Sequence, residues 1–478
     1  MFQKNRIAAA CLLAVGMPCA AHAQSSSDLE DIRRQIQELR ATYEKRIEAL
    51  EKRLQEAETA ARQADEKASR AETAQRQAEV GPPAATAAAP ATPEVRPGGQ
   101  VTSNAFNPGI SLILQGAYRN ASRDPETRSI TGYIPAGSLD LPRRGFSLDE
   151  SEITFSANVD HLFYGQATFA LHDSAIETEE AYVQTLALGH GLTLKAGRMF
   201  SSIGYQNGLH PHAWDFADPA LPQRAFLGEN FKMDGVQASW IAPLPVFVEV
   251  GAELGMPVEF PFADSDANKN GISGGTLFAH LGGDVGESHS YRVGGWHLKA
   301  QNRVSDASLL DFDRRVGGIS SLSGGDSNLW GLDFVWKWAP NGNSKERNFK
   351  LVAEWMQRHL DGDMTTDLGG GTQTGSFKAK QSGWYVQAVY QFLPQWRAGL
   401  RYDQLGNGSY SLAPDLAGLV ATPGFTPKRY AAMLDWNPSE FSRVRLQYNR
   451  DRSELGLTDD QIFLQYIFSL GAHGAHRF

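Results

Sequence analysis

The chain has 478 residues, of which 41% are hydrophobic and 21% charged, and its mean hydropathy is -0.37. Beyond residues 1–23, no apolar run approaches the roughly 18 residues that a spanning helix requires, which excludes a helical membrane protein. The formal net charge of -9 offers no basic surface to a nucleic acid, so we expect no nucleic-acid partner.

Residues 1–23 have the pattern of a secretory signal peptide. A charged start and an apolar stretch precede the small-x-small sequence Ala-His-Ala at 21–23. The two cysteines of the chain, Cys11 and Cys19, both lie in this segment. We therefore expect an exported mature protein without disulfides, thiolate metal sites or cysteine nucleophiles.

Residues 24–80 are predicted to form a periplasmic coiled coil. From Asp28 onward they are rich in Ala, Glu, Arg and Gln, and their apolar residues are spaced alternately by three and four, with one stutter between Tyr43 and Ile47. Such a seam needs partner helices, so we expect it to join copies of the chain into a homo-oligomer, although the seam itself does not fix their number. A contact with peptidoglycan is a further possible role. The Pro- and Ala-rich residues 81–100 are predicted to be a linker.

Residues 101–478 change to a period of two and are predicted to form an outer-membrane β-barrel. In one such segment, Ile153, Phe155 and Ala157 alternate with Thr154 and Ser156. Short connections alternate with long polar ones, as in barrels with periplasmic turns and extracellular loops. The predicted fold class is an all-β transmembrane barrel of about 16 antiparallel strands, preceded by the α-helical coiled coil. The long connections lie at about 121–145, 201–232, 257–274, 302–327, 361–376 and 405–428.

Aromatic residues at the ends of the predicted strands are expected to contact membrane lipid and lipopolysaccharide at the two interfaces. The candidates for these girdles are Trp240, Trp330, Trp338, Trp355, Trp384 and Trp396.

The third outer loop, at about 201–232, is expected to fold into the lumen and narrow it. Its candidate constriction residues are His210, His212, Asp215, Asp218 and Arg224. Alternation along the strands also predicts pore-lining side chains, with a basic wall facing an acidic one, so that the field across the lumen orients dipolar solutes. The alternative is that these are ordinary solvated charges in a wide lumen. The predicted acidic wall comprises Glu152, Asp160 and Glu180, and the predicted basic wall comprises Lys337, Lys350, Arg358, Arg397, Arg401, Arg443 and Arg445. Of the basic residues, the last four are expected to face the solute.

His210 and His212 are also candidate metal ligands. With Asp215 and Asp218 nearby, they could place imidazole and carboxylate donors on one zinc ion, the possible cofactor of this chain. The alternative is that His-x-His belongs to a turn or to a hydrogen-bonding feature of the loop.

The last strand and the tail that ends at Phe478 resemble the assembly signal of outer-membrane barrels. With the coiled coil, sixteen strands and a long third loop, the chain resembles the phosphate-selective porin O and P family and the related dicarboxylate porins that bear coiled coils. The strings DESEITFSANVD and GLHPHAWDFADPAL also resemble proteins labelled zinc-regulated, TonB-dependent receptors. That label implies a plug domain and about 22 strands, for which the chain has no room.

The expected function is passive diffusion of small hydrophilic, anionic solutes through a trimeric porin in the bacterial outer membrane. The alternatives are a zinc-linked metal uptake channel or receptor-like protein, and an envelope tether or adhesin that uses the coiled coil. No catalytic residues are predicted, because the sequence shows no arrangement of nucleophile and base that would support an enzyme.

Overall fold

The first and last strands of one antiparallel sheet pair with each other, from Ser111 opposite Gly471 to Ala121 opposite Gln461. The computed structural model describes residues 108–125, 128–134, 136, 143–172, 175–258, 260, 270–301, 319–367, 371–416 and 424–471. The signal peptide, coiled coil and linker predicted for residues 1–100 lie outside these ranges. Within them, the pairing of the two end strands closes the sheet into a barrel.

Nineteen strands are described, and sixteen of them make up the closed ring, as the sequence predicts. The other three, of four or five residues each, pair onto the ends of longer strands. In chain order the strands are β1 (Gly109–Ala121), β2 (Gly145–Leu148), β3 (Ser151–Asn158), β4 (Phe163–Leu171), β5 (Ile176–Thr185), β6 (Leu192–Phe200), β7 (Lys232–Ile241), β8 (Phe247–Val258), β9 (Gly274–Val285), β10 (His289–Gln301), β11 (Ile319–Ser323), β12 (Asp326–Trp338), β13 (Asn348–Asp367), β14 (Thr372–Leu393), β15 (Trp396–Leu405), β16 (Ser409–Leu412), β17 (Lys428–Ser439), β18 (Ser442–Arg452) and β19 (Asp459–Gly471); the short ones are β2, β11 and β16.

The two faces of the barrel wall differ in polarity. On β19, Leu464 and Tyr466 point outward and are nearly half exposed, whereas Gln465 between them points inward and is buried. Apolar side chains on the outside and polar ones on the inside are the arrangement of a sheet that contacts lipid. Among the predicted girdle residues, Trp240, Trp330, Trp355, Trp384 and Trp396 are exposed on the outer face, and Trp338 is only partly exposed.

The connections have the predicted short and long alternation, with one correction. The interval 361–376 was expected to be a loop, but β13 continues to Asp367 and β14 begins at Thr372. Met364 and Phe377 lie on one face of this extended hairpin and pack against Leu416, which gives the polar segment a buried side. Because Leu416 covers one face, β13 and β14 continue into the polar interval 361–376 that was expected to be a loop.

Apolar residues form a core inside the barrel. It is built from the connection after β1, from the helix α1 (Leu221–Leu227) between β6 and β7, and from the inward faces of strands between β7 and β15. Tyr133 and Phe226 meet there, with ring centroids 5.8 Å apart. No helix among the described residues is long and apolar enough to cross a membrane.

Candidate functional site: the loop that crosses the barrel interior

The connection between β6 and β7, residues 201–231, lies inside the barrel, and we name it L3. Pro211 begins a 3-10 turn, Pro222 lies in the first turn of α1, and Gly228 ends that helix in the left-handed conformation, with φ of 71°. Every residue of α1 is buried. A surface loop could not be covered in this way, so the barrel wall encloses L3, as the sequence predicts for the third outer loop.

One part of L3 contacts the acidic wall. His210 lies between two carboxylates, with Nδ1 at 3.1 Å from Glu152 and Nε2 at 3.2 Å from Glu180. His212 Nδ1 is 2.8 Å from the other oxygen of Glu152. Burial alone would lower the pKa of His210, but Glu152 and Glu180 outweigh it and raise that pKa well above its usual range. The ring is therefore a cation at neutral pH that holds L3 to β3 and β5.

The next part of L3 contacts the basic wall through Asp215. Lys350 Nζ lies 2.6 Å from this carboxylate, Arg397 lies 3.7 Å from it, and Gln387 donates to it at 3.1 Å. Burial would raise the pKa of Asp215, but Lys350 and Arg397 outweigh that effect and lower it. Asp215 is therefore an anion that fixes L3 to β13 and β15.

Asp218 makes a second attachment to the same wall. Arg401 and Arg429 donate to its two oxygens at 2.9 and 2.7 Å, and both arginines also contact Asp403, at 3.0 and 2.7 Å. Asn449 donates to Asp218 at 2.9 Å. Despite full burial, the two guanidinium groups hold the pKa of Asp218 well below its usual range. L3 thus bridges the lumen, with histidines at one wall and aspartates at the other.

These contacts correct the expectation that Arg401 and Arg445 face the solute. Both point inward, but they are 3% and 0% exposed because L3 covers them. Arg445 donates to the carbonyl of Trp214 at 2.9 Å. The alternation of a strand identifies its inward face but gives no information on what covers that face, which is why the sequence could not reveal this burial.

Arg358 requires a similar correction, because it is 1% exposed and does not line an open lumen. Its guanidinium donates to the carbonyls of Ile134 and Ala225 at 2.6 and 3.3 Å, and to Gln381 at 2.7 Å. The ring of Phe226 lies 5.2 Å from it. Arg358 therefore joins the loop after β1 to α1 and to the wall.

The remaining predicted residues are placed as follows. Arg397 and Arg443 keep 17% and 14% of their side chains exposed, and Lys350 keeps 19%. Lys337 is partly exposed directly opposite Lys350 on the neighbouring strand. These four basic residues lie near the end of the barrel that has the short turns, below the buried arginines.

Two further predicted residues, Arg224 and Asp160, make local contacts. Arg224 is buried in α1, with Nη2 at 3.7 Å from Glu229. Asp160, which was expected to point inward, instead accepts hydrogen bonds from the backbone of Leu162 and Phe163 at 2.7 and 2.9 Å. It closes a short turn, as an Asx residue commonly does.

Two functional arginines, Arg429 and Arg292, were missed. Arg429 lies directly after the predicted loop at 405–428, and its spacing from Asp435 by an even number of residues would have placed it inward. Arg292 donates to the carbonyl of Gly204 at 2.9 Å, which fixes the start of L3. A strict period of two extended to the strand ends would have identified Arg429.

The proposed zinc pair is not assembled as the sequence suggested. Both His210 and His212 contact Glu152. The group of described residues whose ligand atoms lie within 4.8 Å of one another is Glu150, Glu179 and His210. Lys232 donates to Glu179 at 2.8 Å, and His210 is a cation held by Glu152 and Glu180, so two of these three ligands already have partners.

Comparison with known proteins gives one sequence relative and several structural ones. An uncharacterized protein of Aquifex aeolicus is 30% identical over 412 residues, which covers 79% of this chain and 81% of the relative. No protein-family model matches the chain, so the phosphate-selective porin O and P family stays a resemblance.

Solved structures similar to this chain include several outer-membrane proteins. They include a loop L8 deletion mutant of OmpT, an outer membrane protein of Vibrio cholerae (TM-score 0.47, 9% identity, 77% of this chain and 100% of that one). The outer membrane channel DcaP of Acinetobacter baumannii has a TM-score of 0.44 at 13% identity, with 76% of this chain and 97% of that one covered. OprB of Pseudomonas putida has a TM-score of 0.44 at 13% identity, with 76% and 94% covered.

Proposed function

We propose that this chain, which belongs to one family with the uncharacterized protein of Aquifex aeolicus, is an outer-membrane channel for passive diffusion of small hydrophilic, anionic solutes. The observation that carries the proposal is a closed barrel that is apolar outside and charged inside, with L3 crossing the interior between opposite walls. An apolar exterior is stable in lipid, and a charged interior is stable only in contact with water or with other charges.

The charge balance near the short-turn end supports a preference for anions. Lys350, Arg397, Arg443 and Arg445 share the two carboxylates of Asp215 and Asp435. The four cations exceed the two anions, and three of the cations keep some exposure. A solute that passes L3 on this side therefore meets residual positive charge.

We also propose the assembly and its orientation. The barrel forms a homotrimer, with the short turns and residues 24–80 in the periplasm, and the coiled coil joins the three chains. The exposed tryptophans and tyrosines contact membrane lipid and lipopolysaccharide. A contact between the coiled coil and peptidoglycan stays a prediction.

Ion selectivity in planar bilayers tests the channel. The mature protein is inserted under a KCl gradient, and phosphate and succinate are then added as blocking anions. We expect stepwise openings and a reversal potential that favours anions. Replacing Arg443 by Glu should shift the reversal potential toward cations, because the residue faces the interior beside L3.

The matched control is Arg450→Glu on the same strand. Arg450 points outward and is about half exposed, so the same charge reversal there should leave selectivity unchanged. If the folded wild-type protein shows no conductance, the proposed channel function is wrong. Equal shifts in the reversal potential of both variants would show that the inner basic residues do not determine ion selectivity.

A further inference from the structure

A row of three buried polar side chains crosses four neighbouring strands on the inner wall, apart from the basic wall described above. His280 on β9 is paired with Gly294 on β10, Gly294 with Asp333 on β12, and Asp333 with Glu354 on β13. All three side chains point inward, and the residues are 4%, 2% and 2% exposed. Residues directly opposite one another on the same face of a sheet have their Cβ atoms about 5 Å apart.

Several atoms of this row have no hydrogen-bond partner among the described residues: both carboxylate oxygens of Asp333, Oε2 of Glu354 and Nε2 of His280. A buried polar atom without a partner costs free energy, and two carboxylates directly opposite each other repel. Arg292 lies 3.9 Å from Asp333, and it already donates to the carbonyl of Gly204. When both groups are ionised, one guanidinium does not neutralise them, so the ionised row favours a further cation over a proton shared between the two carboxyls.

His280 is oriented as a ligand. Its Nδ1 lies 3.0 Å from Oε2 of Glu249, and its ring stacks on Phe278 with centroids 5.4 Å apart. A carboxylate at Nδ1 favours the tautomer whose hydrogen is on that nitrogen, which leaves the Nε2 lone pair free to bind a metal.

Gly294 makes space for the row. A Cβ added at this position would collide with the Asp333 carboxylate, so Asp333 leans over the glycine toward His280. Glu354 lies on the other side of Asp333, beneath Gly204 of L3. The indole N–H of Trp296, also close to Gly204, has no partner in the described part of the chain and can donate to a water on an ion.

We propose that this row binds one divalent cation, with the Asp333 carboxylate as the central ligand and Glu354 Oε2 and His280 Nε2 on either side. As a set these ligand atoms are not within 4.8 Å of one another in the described structure, so binding draws them together by side-chain rotation. One imidazole and two carboxylates suit a metal such as Mn²⁺ or Zn²⁺.

The cation would link L3 to the barrel wall. The second oxygen of Glu354 accepts hydrogen bonds from the backbone of Tyr205 and Gln206 at 3.1 and 2.8 Å, and from Tyr385 at 2.9 Å. An ion on Glu354 and Asp333 therefore joins the start of L3 to β12 and β13. This role is separate from the passage of solutes, so it does not depend on the channel proposal.

Mn²⁺ binding by the full-length protein tests the site. The protein, in detergent and stripped of metal, is titrated with Mn²⁺, and the free ion is measured by electron paramagnetic resonance. We expect one Mn²⁺ per chain. Asp333→Asn should weaken binding at least tenfold, and Gly294→Ala should do the same without removing a ligand, because the added methyl displaces the Asp333 carboxylate.

The control for the glycine is Gly295→Ala on the same strand, where an added Cβ makes only an ordinary contact with Leu332 at 3.5 Å. This variant should bind Mn²⁺ as the wild type does. If Asp333→Asn fails to fold, His280→Gln takes its place, with the same expected loss.

Four outcomes would overturn the proposal. The first three are no Mn²⁺ uptake by the wild type, full uptake by both ligand variants, and equal losses in Gly294→Ala and Gly295→Ala. A fourth is loss of uptake in Glu150→Gln alone, which would assign the ion to the group of Glu150, Glu179 and His210. Binding is measured without conductance, so failure here leaves the proposed channel unaffected.

Discussion

Asp435 on β17 accepts two hydrogen bonds from Arg445, the residue directly opposite it on β18, at 2.8 and 3.2 Å. The same carboxylate also contacts Arg397 and Arg443. Because Arg445 donates in turn to the carbonyl of Trp214, this buried pair positions the middle of L3. A fork-shaped contact of this kind fixes both distance and orientation.

Removing the charge of Asp435 should destabilise the barrel strongly. Asp435→Asn leaves three guanidinium groups without their shared carboxylate, and breaking a buried ion pair in this way costs about 3–5 kcal/mol. Urea unfolding of the protein in vesicles measures the loss. The control is Asp234→Asn, which removes an outward, half-exposed partner of Arg198 and should cost about 1 kcal/mol or less. Equal losses would show that Asp435 has no special role.

The attachment of L3 at Asp218 should survive mild acid. The folded-state pKa of Asp218 is lowered, since Arg429 and Arg401 outweigh its burial. A carboxylate of this kind stabilises the fold fully above its unfolded pKa of about 3.9, and the contribution is lost as the pH falls through the lower folded value. Single-channel conductance should therefore stay constant from pH 8 to 5, and become noisy only below about pH 4.

Asp218→Asn provides the comparison for that pH series. Without the charge, L3 should be loose at every pH, and the conductance noise of the variant should be independent of acid. A wild-type protein that becomes noisy near pH 6 would contradict the assignment to Asp218.

Gly228 should be sensitive to substitution because of its backbone conformation alone. It ends α1 with φ of 71°, where an L-residue costs about 1–2 kcal/mol. Gly228→Ala should lower the thermal midpoint measured by heat-dependent gel mobility. Gly208→Ala is the control, because its φ is ordinary and an added Cβ meets no atom of the described residues within 4 Å. A shift in the control as large as that in Gly228→Ala would exclude backbone strain as the cause.

Phe226 should hold L3 to the loop after β1. Its ring is buried between Tyr133 and Arg358, and truncation of a buried Phe costs about 3–5 kcal/mol. Phe226→Ala should make L3 accessible to protease in the folded barrel, as detected by mass spectrometry of the fragments. Phe146→Ala, at a residue that is 80% exposed, should not change the cleavage pattern. Protection of L3 in both variants would show that other contacts hold it.

Deletion of residues 24–80 should weaken the proposed trimer. The heptad seam is expected to supply contacts that the barrel exterior does not. Native mass spectrometry in detergent measures the oligomer, with three chains expected for the intact protein and a larger monomer fraction for the deletion. If the deletion leaves the trimer unchanged, contacts on the barrel surface alone are sufficient for assembly.

Much of the fold follows from the sequence because a strand in a lipid-facing barrel repeats every two residues. The alternation identifies the sixteen strands and the inward direction of Arg397, Arg443 and Glu180. The extended hairpin after His359 was missed, since its polar residues have the composition of a loop and its buried face depends on Leu416, distant in sequence.

The site was harder to predict, because its geometry depends on how L3 lies inside the barrel. Sequence identified His210, His212, Asp215 and Asp218 as a set, but not which wall each contacts. The burial of Arg401 depends on atoms of L3 that no local pattern reveals.

The attachment of L3 to opposite walls has a mechanical consequence. A ring of sixteen strands is a thin shell that lateral pressure in a membrane can flatten. L3 is fixed to β3 and β5 on one side and to β13, β15 and β17 on the other. It therefore links opposite sides of the barrel wall and limits how far they can move toward or away from each other. The segment that crosses the interior is therefore expected to resist flattening of the barrel's cross-section as well.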